Sequence, residues 1–165
     1  MKVGILSDMH GDADSLIAAL KILGREGVSV VICCGDVVDT GLVPLFAEMK
    51  LHLVEGNVDH SPRALARAVE RLGNDSTFGL EYMATWDGKH IAALHGHLVD
   101  RLIEVVHSGL YDYVFHGHTH RRRDERIGAT RVINPGALGG KRDERRSFAI
   151  LDLATDQLRV IEIGT

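Results

Sequence analysis

Asp8, His10, Asp36, Asn57, His95, His118 and His120 carry side chains of the kinds that bind cations, and they fall in five short clusters. These are Asp8-Met9-His10, Gly35-Asp36-Val37-Val38-Asp39, Gly56-Asn57-Val58-Asp59, His95-Gly96-His97 and Gly117-His118-Thr119-His120. Carboxylates, imidazoles and one amide carbonyl make a mixed oxygen and nitrogen donor set. Such a set suits manganese, iron, nickel, cobalt or zinc; oxygen alone would favour magnesium or calcium, and thiolates zinc. A His-x-His step on extended backbone puts both rings on one side, so His118 and His120 can face one metal pair. Each cluster taken alone is ordinary. Asp-x-His is commonly a surface loop, Gly-Asp a turn, and a single buried His a hydrogen-bonded core residue. Their shared position is not ordinary, because every one of them follows an apolar strand. Loops at the carboxyl ends of strands in an α/β sheet converge on one edge.

The elements that must position these loops can be read from periodicity. Residues 2–7 and 28–34 are apolar runs of buried-strand length, and 51–55 is a third. Leu16, Ala19, Leu20 and Leu23 give residues 13–25 a helical stripe, which Asp12 or Asp14 can cap. Residues 43–49 suit a short helix. Residues 62–72 suit another, with Ser61 as its cap and Pro62 at its first position. This β-α-β-α-β-α order implies a mostly parallel sheet. Further on, residues 78–86 and 89–95 are expected to form a hairpin about Asp87-Gly88. A helix over 98–107 and strands over 112–116, 126–133, 147–153 and 158–163 complete the chain. The pattern fits two packed mixed sheets with outer helices, and it fits a single mixed sheet equally well.

Composition sets outer limits. The 165 residues suit one domain, 1–165, with no repeat or linker that would divide it. The net charge of −4 argues against a dedicated nucleic-acid binder but omits the charge of bound metal. No run is long enough to span a membrane, and Asp8 and His10 interrupt the pattern a signal peptide needs. Cys33 and Cys34 are adjacent, so on a strand they point to opposite faces and read as buried free thiols of a cytoplasmic protein. The basic runs Arg121-Arg122-Arg123 and Lys141 to Arg146 could attract anions, but interspersed acids make a solvated loop as good a reading.

At the five clusters the sequence resembles the calcineurin-like metallophosphoesterase superfamily. The order Asp-x-His, Gly-Asp-x-x-Asp, Gly-Asn-x-Asp, lone His and Gly-His-x-His is complete. The segments His95-Gly96-His97, Ser108 to Asp112 and Ile133-Asn134-Pro135-Gly136 are similar to the small single-domain archaeal and bacterial phosphodiesterase branch. The resemblance implies an α/β fold, a four-layer α-β-β-α sandwich of two mixed sheets flanked by helices. It implies a dinuclear centre in which Asp8, His10 and His120 hold one divalent ion. Asn57, His95 and His118 hold the other, and Asp36 bridges them. Asp39 is then expected behind the ligands, steadying the His10 ring, with His97 beside them. Asp8, Asp36, Asn57 and His95 act through a metal-activated water, and a metal-bridging hydroxide attacks phosphorus.

One position departs from the pattern. Many members have a His after the motif Asn that protonates the leaving group, whereas Val58 stands there and has no proton to give. His97 and His60 are the nearest substitutes. The function that follows is metal-dependent phosphodiester hydrolysis of a small phosphate ester, by a protein with no membrane segment that is able to form a homo-oligomer. Two alternatives remain open at this point. One is a non-catalytic scaffold of the same fold. The other is a nuclease for short oligonucleotides or cyclic nucleotides.

Overall fold

A computed structural model describes residues 1–164. The strands are β1 (Lys2–Leu6), β2 (Val30–Cys33), β3 (Lys50–Val54), β4 (Thr77–Gly79), β5 (Glu81–Trp86), β6 (Lys89–Leu94), β7 (Tyr113–Phe115), β8 (Arg123–Ile127), β9 (Thr130–Asn134), β10 (Ser147–Asp152) and β11 (Gln157–Glu162). The helices are α1 (Ala13–Arg25), α2 (Pro62–Leu72) and α3 (Val99–His107), with a 3-10 helix over Thr40–Phe46. One sheet has the order β11-β10-β1-β2-β3-β4 and the other β5-β6-β7-β9-β8. In the first, β1 to β4 run parallel and β10 is antiparallel to both its neighbours. In the second, β6, β7 and β9 are parallel, with an antiparallel strand at each edge.

Alternation along the strands builds the layers. Ile5, Ile32 and Val54 face Ile91, Phe115 and Ile133 across the interior between the sheets. Their neighbours Leu6, Val31, Cys33 and Leu53 point the other way, onto Leu16 and Leu23 of α1, Phe46 of the 3-10 helix and Leu65 of α2. On the far side Val105 and Val106 of α3 cover Ala92, Val114 and Val132. The result is helix, sheet, sheet, helix, so the four-layer expectation holds and the single-sheet option does not. Burying each such Leu, Ile or Phe stabilises the fold by about 1.5–3 kcal/mol. Cys33 and Cys34 lie in different layers, both buried and unbridged, as their adjacency requires.

The bounds of α1 and α2 match the periodicity, and Asp12 caps α1 by accepting the Ser15 amide. Ser61 precedes α2 without a side-chain cap bond. Three expectations need correction. The short helix is 3-10 and begins at Thr40, with Asp39 capping it and Pro44 inside, where the ring removes a backbone donor. The strand expected over 78–86 is two strands in different sheets, with the chain crossing at exposed Leu80. The strand expected over 126–133 is a hairpin, in which β8 and β9 pair about Gly128-Ala129. Among the described residues no helix is long and apolar enough to cross a membrane.

The sheets also meet through His52 of β3, which stacks on Tyr82 of β5 with centroids 4.1 Å apart. Its Nδ1 is 2.8 Å from Thr77 Oγ1 of β4. Burial, with help from the Lys50 charge, lowers the His52 pKa from 6.5 to about 4. The neutral ring is therefore the folded form. Its contribution to stability is present above the unfolded value of 6.5 and is lost as pH falls through about 4. Between pH 7 and pH 4.5 the wild type should lose on the order of 2 kcal/mol more stability than His52→Gln, measured as urea unfolding midpoints. Equal losses in the two proteins contradict this assignment.

Candidate metal centre

The carboxyl ends of β1, β2, β3, β6 and β7 deliver the five clusters to one edge of the sandwich. Asp8, Asp36 and His95 are buried, His10 and His120 half-buried, and Asn57 and His118 exposed. One wall of the site is therefore core and the other faces solvent.

Two donor sets lie side by side. In the first, Asp8, His10, Asp36 and His120 each place one donor atom within 4.8 Å of all the others. His10 Nε2 is 3.1 Å from His120 Nε2 and 3.6 Å from Asp36 Oδ2. His120 Nε2 is 3.3 Å from Asp8 Oδ1. In the second set, Asn57 Oδ1 is 2.9 Å from His95 Nε2 and 3.0 Å from His118 Nδ1. His95 Nε2 lies 3.3 Å from Asp36 Oδ1. Asp36 thus turns one oxygen to each set. All seven expected ligands are brought together.

Bonds from behind orient these groups. His95 Nδ1 donates to the Cys34 carbonyl at 2.7 Å, which leaves Nε2 to present a lone pair. His120 Nδ1 donates to the Lys141 carbonyl in the same way. Ser7 Oγ donates to Asp8 Oδ2 at 2.5 Å, and the His118 amide donates to the same oxygen at 3.1 Å. Asn134, at the end of β9, donates to the Gly117 carbonyl and steadies the His118 loop.

The electrostatics call for a cation. Two imidazole nitrogens and two carboxylates crowd the first set, which favours positive charge among them, a proton on an imidazole or a metal ion in its place. The Asp8 carboxylate lifts the His120 pKa to about 9, with burial opposing. Burial also works against the Asp36 carboxylate, yet the bonds from His95 and the Val58 amide outweigh it and hold Asp36 below the ordinary range. His95 is raised against its burial by Asp36 and the Cys34 carbonyl. His118 is lowered by burial and the nearby His95 charge. Imidazole, carboxylate and amide oxygen in these positions suit a divalent metal.

Two expected neighbours are placed otherwise than as predicted, or only loosely. Asp39 is exposed and accepts the Gly41 amide at 2.8 Å, so it caps the 3-10 helix and does not hold His10. Extended backbone at Asp39 places its side chain where the helix has free amides. His97 lies against the second set, its ring 5.5 Å from that of His95. His60 is exposed. The residue that sequence reasoning missed is Asp59. It is buried, and its carboxylate accepts the amides of Asp36 at 3.0 Å, Val38 at 2.8 Å and Gly56 at 2.8 Å. Its place in Gly-Asn-x-Asp was visible, but its inward orientation was not. Gly56 is needed beside it, because a Cβ there would come within 2.1 Å of Asp36 Oδ1.

Comparison with known proteins agrees with this geometry. Residues 1–156 match the family model of the calcineurin-like phosphoesterase superfamily domain. A phosphodiesterase of Methanocaldococcus jannaschii is 31% identical over 163 residues, covering 98% of each chain. A probable metallophosphoesterase of Mycoplasma pneumoniae is 28% identical over 172 residues, covering 98% of this chain and 94% of the other. The solved structure of a novel archaeal phosphodiesterase, 30% identical, superposes with a TM-score of 0.91 over 99% of this chain and 100% of that one.

Asp59→Asn tests how the Asp36 loop is held. An amide offers one acceptor oxygen, so at least one of three charge-assisted bonds is lost and an NH2 group faces a backbone N–H. The variant should be about 2 kcal/mol less stable by urea unfolding. A change below about 0.5 kcal/mol would mean that the carboxylate does not hold the loop.

Proposed function

This chain belongs to the calcineurin-like phosphoesterase superfamily, and from that premise we propose that it is a phosphodiesterase working with two divalent metal ions. The observation that carries the reading is the double-facing carboxylate of Asp36, with Oδ2 toward His10 and Oδ1 toward His95. On this reading Asp8, His10 and His120 hold one ion, Asn57, His95 and His118 hold the other, and Asp36 bridges. Manganese is the first ion to test, and nickel, cobalt, iron or zinc suit the same mixed donors. Such a pair, when bound, supplies a water acidic enough to deprotonate near neutral pH and charge to stabilise a phosphoryl group.

The chain's own residues then do three things. Asp8, Asp36 and the rings fix the donors on rigid strand ends, so little reorganisation is needed. The Cys34 and Lys141 carbonyls fix the tautomers of His95 and His120. Asn57 and His118, on the open side, leave the site accessible to an anionic ester. Ser7, fully buried and donating to Asp8, is not free to attack, and water is the attacking group on this reading. The half-exposed Val58, next to Asn57, cannot protonate a leaving group.

The same reading treats residues 1–165 as one catalytic domain. Exposed Leu98, Val99 and Ile103 on and beside α3 suit self-association into a homo-oligomer. The two unbridged buried thiols suit a reducing compartment such as the cytoplasm.

Asp36→Asn in the manganese-loaded protein should lower kcat for bis(p-nitrophenyl) phosphate by at least about 10²-fold while the circular dichroism spectrum is retained. Full turnover by this variant removes Asp36 from the bridge. The missing acid at Val58 penalises basic leaving groups by about 10²–10⁴-fold. The aryl diester should therefore be cleaved much faster than a simple alkyl monoester at saturating concentrations. The reverse order would show that another group supplies the proton.

A further inference from the structure

Beside His118 and His120 opens a cleft of about 590 Å³ whose wall is basic. Five cations line it, Arg121, Arg122, Arg123, Lys141 and Arg142, against one carboxylate, Asp143. Three of the five already have partners. Arg122 pairs with Glu162 at 2.8 Å, Arg123 with Glu125, and Arg121 with Asp143 at 3.5 Å. Lys141 and Arg142 make no ion pair among the described residues. The one hydrogen bond of the Arg142 guanidinium among those residues goes to the Gly140 carbonyl at 2.7 Å. Burial and the neighbouring Arg146 charge lower the Arg142 pKa, with the Asp12 carboxylate opposing them.

This loop is fastened to the metal centre. The Lys141 carbonyl accepts from His120 Nδ1. Gly140, at φ +64°, packs so closely on His10 that a Cβ would lie 2.5 Å from its ring. Two rings of the first donor set therefore fix the backbone from which Lys141 and Arg142 project. The Arg142 guanidinium is held back onto the Gly140 carbonyl, and the exposed Lys141 side chain starts from a backbone fixed at the rim of the centre.

We propose that Lys141 and Arg142 form a subsite for a second phosphate of the substrate, so that the preferred substrate is a phosphodiester carrying a further phosphate monoester. A 5′-phosphorylated dinucleotide is the simplest case. The inference rests on the phosphodiesterase reading and names its substrate class. A planar guanidinium and an ammonium together match a phosphate dianion in charge and in hydrogen-bond donors. Water adds OH to the diester phosphorus, the bridging P–O bond breaks, and the departing alcohol takes the proton. The terminal phosphate is unchanged. Its binding, remote from the reacting bond, contributes transition-state stabilisation to a substrate whose leaving group has no acid at Val58 to help it.

The test uses the full chain loaded with manganese, with 5′-phosphorylated dithymidylate and the same dinucleotide lacking the 5′-phosphate. The wild type should favour the phosphorylated form by about 10-fold or more in kcat/KM, the worth of one good charge-assisted contact. In Lys141→Ala/Arg142→Ala that ratio should fall to near one; the Lys141 backbone carbonyl that His120 needs remains. General damage would lower both substrates together and leave the ratio intact. A second readout avoids catalysis. Calorimetric binding of the phosphorylated dinucleotide to the metal-free protein should weaken in the double variant, and its log–log salt slope should shrink by about one. Wild-type protein that cleaves bis(p-nitrophenyl) phosphate but shows no preference between the dinucleotides overturns this inference alone. Failure to cleave any diester overturns the phosphodiesterase reading and the inference with it. A ratio and a salt slope both unmoved by the double variant remove these two residues from substrate binding.

Discussion

The Asp36 carboxylate, held between two nests of nitrogen, is the interaction around which the structure is arranged. Burial alone would favour its neutral form, and only the groups packed around it keep it charged. The backbone there is in the left-handed region: φ is 57° at Asp36, 54° at Asp8, 47° at His10, 67° at His118 and 56° at His120. Val38, at φ 69°, is a β-branched residue in the same region. Each such residue costs roughly 1–2 kcal/mol. Outside these loops the left-handed region is taken only by Asn and Asp at turns, Asn74, Asp75, Asp87 and Asp156, among the described non-glycine residues, so the His and Val residues held there mark the donor loops. Asp59 offsets much of this cost by collecting three amides that the bent loops turn inward.

What lets such loops survive is the rigidity behind them. The core between the sheets is made mainly of branched side chains from both, with Tyr113 and Phe115 among them, and it fixes where each strand ends. Backbone bonds then join loops of different strands. The Asp8 amide reaches the Gly35 carbonyl at 3.0 Å, and the Gly117 amide reaches the His95 carbonyl at 2.9 Å. The chain after β9 completes the arrangement, with the Leu138 amide on the Ser7 carbonyl and the Gly139 amide on the Asp8 carbonyl. That segment connects the end of one sheet to the first loop of the other. This is why donors separated by more than a hundred residues hold distances near 3 Å.

The donors were legible because chemistry and position coincide in them: few other reasons put Asp and His directly after apolar strands. α1 and α2 were legible because their apolar stripes and end signals agree. The crossing at Leu80 was not, since Thr77–Gly79 and Glu81–Trp86 have the same local character and only their partners differ. Partner choice is a tertiary fact that periodicity does not encode. The same holds for Asp39 and Asp59. Both are Asp residues in donor-bearing loops, but one faces solvent at a helix cap and the other faces three amides. The difference comes from how two loops pack together, and neither loop's sequence contains it.

Net charge shows the same limit from another side. A chain of net charge −4 would not be expected to attract anions. Yet acids near the site are committed: Glu125, Glu144 and Glu162 lie on arginines, Asp59 on amides, and Asp8 and Asp36 among imidazoles. What remains at the cleft is a pair of cations, Lys141 and Arg142, outside any ion pair among the described residues, on a backbone tied to His10 and His120. At ionic strengths where the Debye length is about 8–10 Å, the distant acids are screened and the nearby pair is not. Local commitment of charges, and not their sum, therefore sets the charge that this cleft presents to solvent.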